Sequence, residues 1–365
     1  MITEVESNIE LTQASSIEEC RQAMHVALSS FYPQGYSTAQ QESWHYRWFE
    51  DPTFLPERVL LAKQENRIIG GIRVKPIILG RRTQFYDCLG IADIFTTVDM
   101  RGHGVASLIV KFAIQLSERE KHDLIIGVAR KRTDGFYLKH NFFGIGSYPK
   151  IMMKEMRASR KFRQCEIGKY TFRPQAYSPL FNKMYERCYG NVFGRTIRTD
   201  ADWKFILGSL NYNQHQCLGI FDDDKLVGYV IFQQNIVMEL SFEQHIDGVT
   251  LVHDLSTLLG HDEIQFDISP LHAIMDINIG CEVSVIQREC FYGGHIVKII
   301  NIENVIQKFI LRDEVRLSHA NEFSFPLSYD ATKLLLGIHG QFRATPAGLD
   351  KFSTMPFCIS RIDEF

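Results

Sequence analysis

The stretch from Leu89 to Phe143 constrains this chain most. It opens with an apolar run (LGIADIFTTV), turns through Asp99-Met100-Arg101-Gly102-His103-Gly104, and closes with a second apolar run (LIIGVA) followed by FYLKHNFF. Between the runs a helix is predicted, because Val105, Leu108, Ile109, Phe112 and Leu116 recur at three- and four-residue steps while Lys111, Ser117 and Glu118 lie between them. Strand, turn, helix and strand in that order form a βαβ-like unit, which places the turn at the carboxyl end of a strand, where ligands gather. The glycines at 102 and 104 permit backbone angles that other residues resist, and the amides from Gly102 to Ala106 then open a helix whose N-terminus attracts an anion. Arg101 adds a full charge. No Gly-Lys-Ser/Thr follows and no third glycine completes a dinucleotide fingerprint, so spacing alone leaves an anion site and a plain tight turn both open.

Asp93 stands within the first apolar run, among Ile91, Ala92, Ile94 and Phe95. A carboxylate there must be hydrogen-bonded, paired or facing a cleft, because burying it alone costs several kcal/mol. Ahead of this run, Val59–Ala62 and Ile68–Val74 read as antiparallel strands about a turn at 64–66, and a further strand follows Gly80. Residues 15–31 carry helical spacing after a serine cap. The aromatic segment 42–49 must end as a helix by Asp51-Pro52. Trp44 and Trp48 share one face of it, either as a staple on the core or as a wall of a substrate pocket.

With 365 residues, two or three domains are expected at about 100–200 residues each. A basic, weakly patterned segment at 156–163 marks a connection. From 170 to 300 the layout restarts: a helix near 179–189, then strands at 217–221 and 226–232, but with no glycine turn after them, so a nucleotide site in this copy is expected to be lost. The divisions are 1–155, 156–300 and a C-terminal extension over 301–365. A net charge of -3 with 23% charged residues gives no sign of a nucleic-acid or anionic-membrane surface, and no apolar run approaches a membrane span. Eight scattered cysteines show neither a C-x-x-C pair nor zinc spacing, so no metal is expected. Reduced thiols and an acidic N-terminus without an apolar core segment point to the cytoplasm.

Arg101-x-x-Gly104-x-Ala106 after an apolar strand, with Phe136-Tyr137-x-Lys139 about thirty residues on, resembles the acyl-CoA motif of the GCN5-related N-acetyltransferases, the GNAT superfamily. The resemblance implies an α/β (α+β) GNAT fold, a mixed central sheet flanked by helices, followed here by a degenerate second GNAT-like domain. It implies acyl-CoA as co-substrate. Thr96, Thr97 and Val98 would pair with the pantetheine arm, Arg101, Gly102, His103, Gly104, Val105 and Ala106 would hold the pyrophosphate, and Tyr137 would protonate the departing thiolate. Asn141 and Arg130 stand where glycine and asparagine are usual in the family.

The tandem layout also resembles the Eis-like acetyltransferases, in which the terminal carboxylate serves as base. That role would fall on Phe365, with Asp93, acting directly or through water, as its competitor. The segment Trp44-x-x-x-Trp48-x-x-Asp51-Pro52 is similar to N-acyltransferases of nucleotide-linked deoxysugars, which implies substrate contacts for Trp44 and Trp48. Arg73, Lys75, Arg81 and Arg82 would then hold a nucleotide diphosphate or form a solvated face. The reading that results is an N-acyltransferase acting on a primary amine of a small molecule, with a nucleotide-linked amino deoxysugar favoured over an aminoglycoside or polyamine. A non-catalytic acyl-CoA sensor is the competing class, and an oligomer is left open.

Overall fold

The computed structural model describes residues 8–81, 83–144, 150–154, 168–192, 194–261, 263–268, 272–276, 282–286, 294–301, 303–305 and 308. In chain order the first elements are β1 (Glu10–Gln13), α1 (Ile17–Phe31), α2 (Thr38–Phe49), β2 (Val59–Gln64), β3 (Arg67–Arg81), β4 (Gln84–Thr96), α3 (Val105–Arg119), β5 (Leu124–Ala129), α4 (Asp134–Leu138), β6 (Phe143–Gly144) and β7 (Lys150–Lys154). There follow β8 (Tyr170–Pro174), α5 (Pro179–Tyr189), β9 (Arg195–Thr196), α6 (Asp200–Asn213), β10 (Gln216–Asp222), β11 (Lys225–Gln233), β12 (Ile236–Phe242), α7 (Gly248–Leu259), β13 (Glu263–Phe266), β14 (Glu282–Ile286) and β15 (Gly294–Ile299). No helix among the described residues is long and apolar enough to cross a membrane.

The local chemistry sets the helix ends. Ser16 caps α1 by accepting from the Glu19 amide, as the serine before that helix predicts. Helix α2 begins at Thr38, four residues earlier than the aromatic segment suggests, because Ser37 and Gln40 form a reciprocal capping box. Helix α3 buries Val105, Ile109, Val110, Ala113 and Leu116 against the first sheet. Each such large apolar side chain contributes roughly 1.5–3 kcal/mol of transfer free energy.

Two mixed sheets result. The first runs β1-β2-β3-β4-β5-β15-β6, with β9 on the far end of β3; the second runs β14-β7-β13-β12-β11-β10-β8. The sheets exchange strands. β15 lies between β5 and β6, pairing Gly294–Ile299 antiparallel with Leu124–Ala129, although it follows the whole second sheet in sequence. β7 leaves the first half and pairs with β13 and β14.

The second sheet repeats the pattern of the first, with β12, α7 and β13 in the places of β4, α3 and β5. Its ligand positions are filled by its own chain. At the start of α7 the carboxylate of Asp247 accepts from the Val249 amide and the Thr250 hydroxyl, which occupies the position of an anion. β12 and β13 pair only at Ile236 and Val237. Beyond that point, Leu240 donates to Tyr189 Oη at 3.3 Å, and its carbonyl accepts from His272 Nε2 at 2.8 Å. Burial pulls His272 down to about 4, so it is a neutral plug.

Candidate active site

In the first sheet the corresponding positions stay open. β4 and β5 pair in parallel only from Cys88–Leu124 to Ile91–Gly127, although β4 runs on to Thr96 and β5 to Ala129, so the two strands splay toward their carboxyl ends; β15 covers the opposite edge of β5. A bulge sharpens the splay. Gly71 faces Phe95 and Arg73 faces Ala92, which leaves Asp93 and Ile94 against Ile72 alone, with Asp93 at φ 52°. The strand ends at Thr96, whose Oγ1 is buried without a partner among the described residues.

The turn that follows has the conformation its glycines predict. Gly102 (φ 84°) and Gly104 (φ 81°) are left-handed, and Gly104 is the N-cap of α3 with no side chain capping the helix. The first turn of α3 therefore presents amides without intrahelical acceptors, which suits a diphosphate. Arg101 is braced by donating to the Ser30 carbonyl at 2.6 Å, and His103 is exposed. Thr97 donates its amide to the Ile69 carbonyl at 2.9 Å, and Val98 opens a short 3-10 turn instead of extending the strand. Val105 packs inward and Ala106 is half-buried.

Tyr137 lies on α4, beyond the carboxyl end of β5, in the cluster that also holds Val105, Ile109, Ala129 and Phe142. Burial pushes its hydroxyl up to about 12. The phenol is therefore protonated through the neutral range, the state a proton donor requires.

Asp93 meets two of its three sequence-stated conditions at once. Its carboxylate accepts from Trp48 Nε1 at 2.9 Å and Arg73 Nε at 3.4 Å, with Arg47 at 3.8 Å from the other oxygen. Trp44 and Trp48 are stacked with centroids 6.3 Å apart, as their spacing predicts, but both are core residues between α1, α2 and β2 rather than walls of a pocket. Phe365 lies outside the described residues, as do Arg82 and the 156–163 connection.

A cavity of about 800 Å³ opens between the two sheets, and sequence reasoning did not locate it. It is walled by Arg47, Asp51, Arg73 and Lys75 near the bulge, by Ile197 and Phe205 from the second half, and by Asp87 and His122 at its far end. Asp51 is paired with two cations of the same wall, 2.9 Å from Lys75 Nζ and 3.6 Å from Arg73 NH1. Burial would raise its carboxyl, but the Lys75 ammonium and bonds from Lys75 and Thr53 outweigh this and hold it below the ordinary value. The signal for Asp51 was present as the acid before Pro52. Its partners were not legible, since they lie on a strand more than twenty residues away.

The sheet is open and splayed, with a glycine turn at the carboxyl end of β4 that starts a helix, an arrangement suited to an anionic ligand. Residues 21–142 match the Acetyltransferase (GNAT) family, and this part of the chain is a GNAT domain. Solved structures of similar fold include a GCN5-related N-acetyltransferase from Anabaena variabilis, at 16% identity and a TM-score of 0.59, covering 80% of this chain and 73% of that one. Eis1 from Mycobacterium abscessus shows 15% identity and a TM-score of 0.57, with 82% and 75% covered. A GCN5-related N-acetyltransferase from Kribbella flavida shows 13% and 0.56, with 80% and 71% covered. The likeness is one of fold, and it extends well beyond residue 142. No curated protein matches the sequence.

Proposed function

We propose that the protein transfers an acyl group from acyl-CoA to a primary amine of a small molecule held in the cavity between the sheets. The observation that carries this is the contrast between the two halves. The splay between β4 and β5 and the uncapped turn of α3 are open, whereas the same places in the second half are filled by His272 and Asp247. The unpartnered Thr96 hydroxyl and the free amides at the start of α3 fit a pantetheine arm and its diphosphate. When bound, acyl-CoA supplies a thioester. The chain's own residues then hold the diphosphate at Arg101 to Ala106, align the arm along Thr96, Thr97 and Val98, and deliver a proton from Tyr137 to a thiolate whose ordinary pKa is about 8.5. The candidate bases for the amine are Asp93 and a water molecule.

The cavity begins at Arg73, in register with Ala92 just before the bulge, so an amine seated there approaches the acyl carbon from the side opposite the turn. A nucleotide-linked amino deoxysugar is the first acceptor to try, with Arg47 and Lys121 as its cationic contacts. Four carboxylates in the wall, Asp51, Asp87, Glu120 and Asp202, favour the second reading, an aminoglycoside or polyamine. The test is thiol release from acetyl-CoA and longer acyl-CoA against a panel of these amines. Turnover with one class assigns the acceptor. Tight CoA binding without turnover of any amine would replace the enzyme by an acyl-CoA sensor.

A further inference from the structure

Among the described residues, Asp93 is the one non-glycine residue with a left-handed backbone inside a strand; the others with positive φ occupy turns or helix ends. Such a conformation resists an L side chain and persists when its surroundings over-determine it. The surroundings here are two elements. Trp48 of α2 donates its indole N–H to Oδ2, Arg73 of β3 donates Nε–H to the same oxygen, and Arg47 of α2 faces Oδ1. The side chain is 8% exposed and does not line the cavity. Oδ2 thus holds two donors, and Oδ1 faces the Arg47 guanidinium as an ion pair at 3.8 Å, a setting of cations that favours the ionised carboxylate over one that has taken a proton from an amine.

We infer that Asp93 is a positioning residue: its carboxylate, clamped by Trp48 and Arg73, locks the β4 bulge so that the backbone groups at Asp93 and Ile94 stay out of the β-ladder and face the acyl carbonyl. Arg47 and Arg73 also line the cavity, so the acceptor wall and the bulge share one set of side chains. The inference rests on the acyl-transfer reading for its catalytic consequence, but the clamp itself is observable without turnover. It reassigns Asp93 from competing base to structural lock, and it gives the buried Trp48 a role through its one polar atom.

The experiment compares Asp93→Asn, Trp48→Phe and Asp93→Gly in the full chain. The glycine variant accommodates the left-handed angle and so keeps the fold while losing the clamp. Asp93→Gly and Trp48→Phe are expected to lower kcat about tenfold with KM for acyl-CoA unchanged, Asp93→Asn, whose amide oxygen still accepts from Trp48 and Arg73, to lower it by less, and the ascending limb of the pH–rate profile to stay unmoved in all three. Amide hydrogen exchange over residues 92–96 is expected to speed up in each. Loss of the ascending limb in Asp93→Asn, with Trp48→Phe at the wild-type rate, would make Asp93 the base and overturn the inference. Unchanged exchange at 92–96 in all three variants would overturn it equally, including in a chain that turns over no amine, which would count separately against acyl transfer.

Discussion

Tyr137 and His272 show what burial does to a titrating side chain in each half of the molecule. The Tyr137 phenol is the proposed acid, and Tyr137→Phe is expected to lower kcat about 100-fold with little change in KM for the thioester. A wild-type rate in steady-state assays would remove Tyr137 from the chemistry and leave it a core aromatic. His272 makes a different prediction. In the unfolded chain it takes a proton near pH 6.5, and in the fold not until about 4, so between these values the unfolded state binds more protons. Stability is therefore fully present above pH 6.5 and falls as the pH drops toward 4, by about 3 kcal/mol from this residue alone. His272→Gln keeps a donor for the Leu240 carbonyl and an acceptor for the Ile274 amide, and is expected to flatten that dependence in denaturant titrations at pH 4.5 and 7. An unchanged slope would mean that His272 is not the titrating group. The glycine turn was legible at this scale because its residues need only one another. The clamp on Asp93 was not, since its donors come from α2 and β3, and the sequence states only that some partner must exist.

Among the elements, α2 and α6 decide how the cavity is held. Tyr46 of α2 stacks on Phe205 of α6, with centroids 5.3 Å apart and planes within 4°, and its hydroxyl donates to the Phe205 carbonyl at 3.1 Å. Gly208 lies in the middle of α6, where glycine ordinarily costs about 1 kcal/mol against alanine. A Cβ at this position would fall on the Tyr46 hydroxyl. Gly208→Ala is thus expected to displace Tyr46, to raise KM for the acceptor severalfold, and to leave KM for acyl-CoA unchanged. A double-mutant cycle with Tyr46→Ala should show a coupling of about 1 kcal/mol or more. Additive effects would sever the link between this socket and the cavity. The helices α1, α3 and α5 were legible from their spacing. Helix α6 was not, because apolar side chains on two of its faces meet different halves of the protein, which blurs a single stripe.

For the molecule as a whole, the exchange of β7 and β15 makes the two sheets interdependent. The division at 155 follows a change in composition, and both exchanged strands pair across it. Nothing in a short apolar strand names the sheet it will join, so the exchange could not be read from sequence. A chain ending at residue 154 lacks the strand between β5 and β6, and is expected to show no cooperative thermal transition, whereas the full chain melts in one. A sharp melt of the shortened chain, followed by circular dichroism, would show that the first sheet closes without β15. The exchange also sets a clock for synthesis. Gly294 leaves the ribosome 165 residues after Ala129, on the order of 10–30 s at ordinary elongation rates, and for that interval the apolar edge of β5 has no neighbour to cover it. A nascent chain of this design must be shielded by a chaperone, or be slow to collapse, until its last described strand arrives.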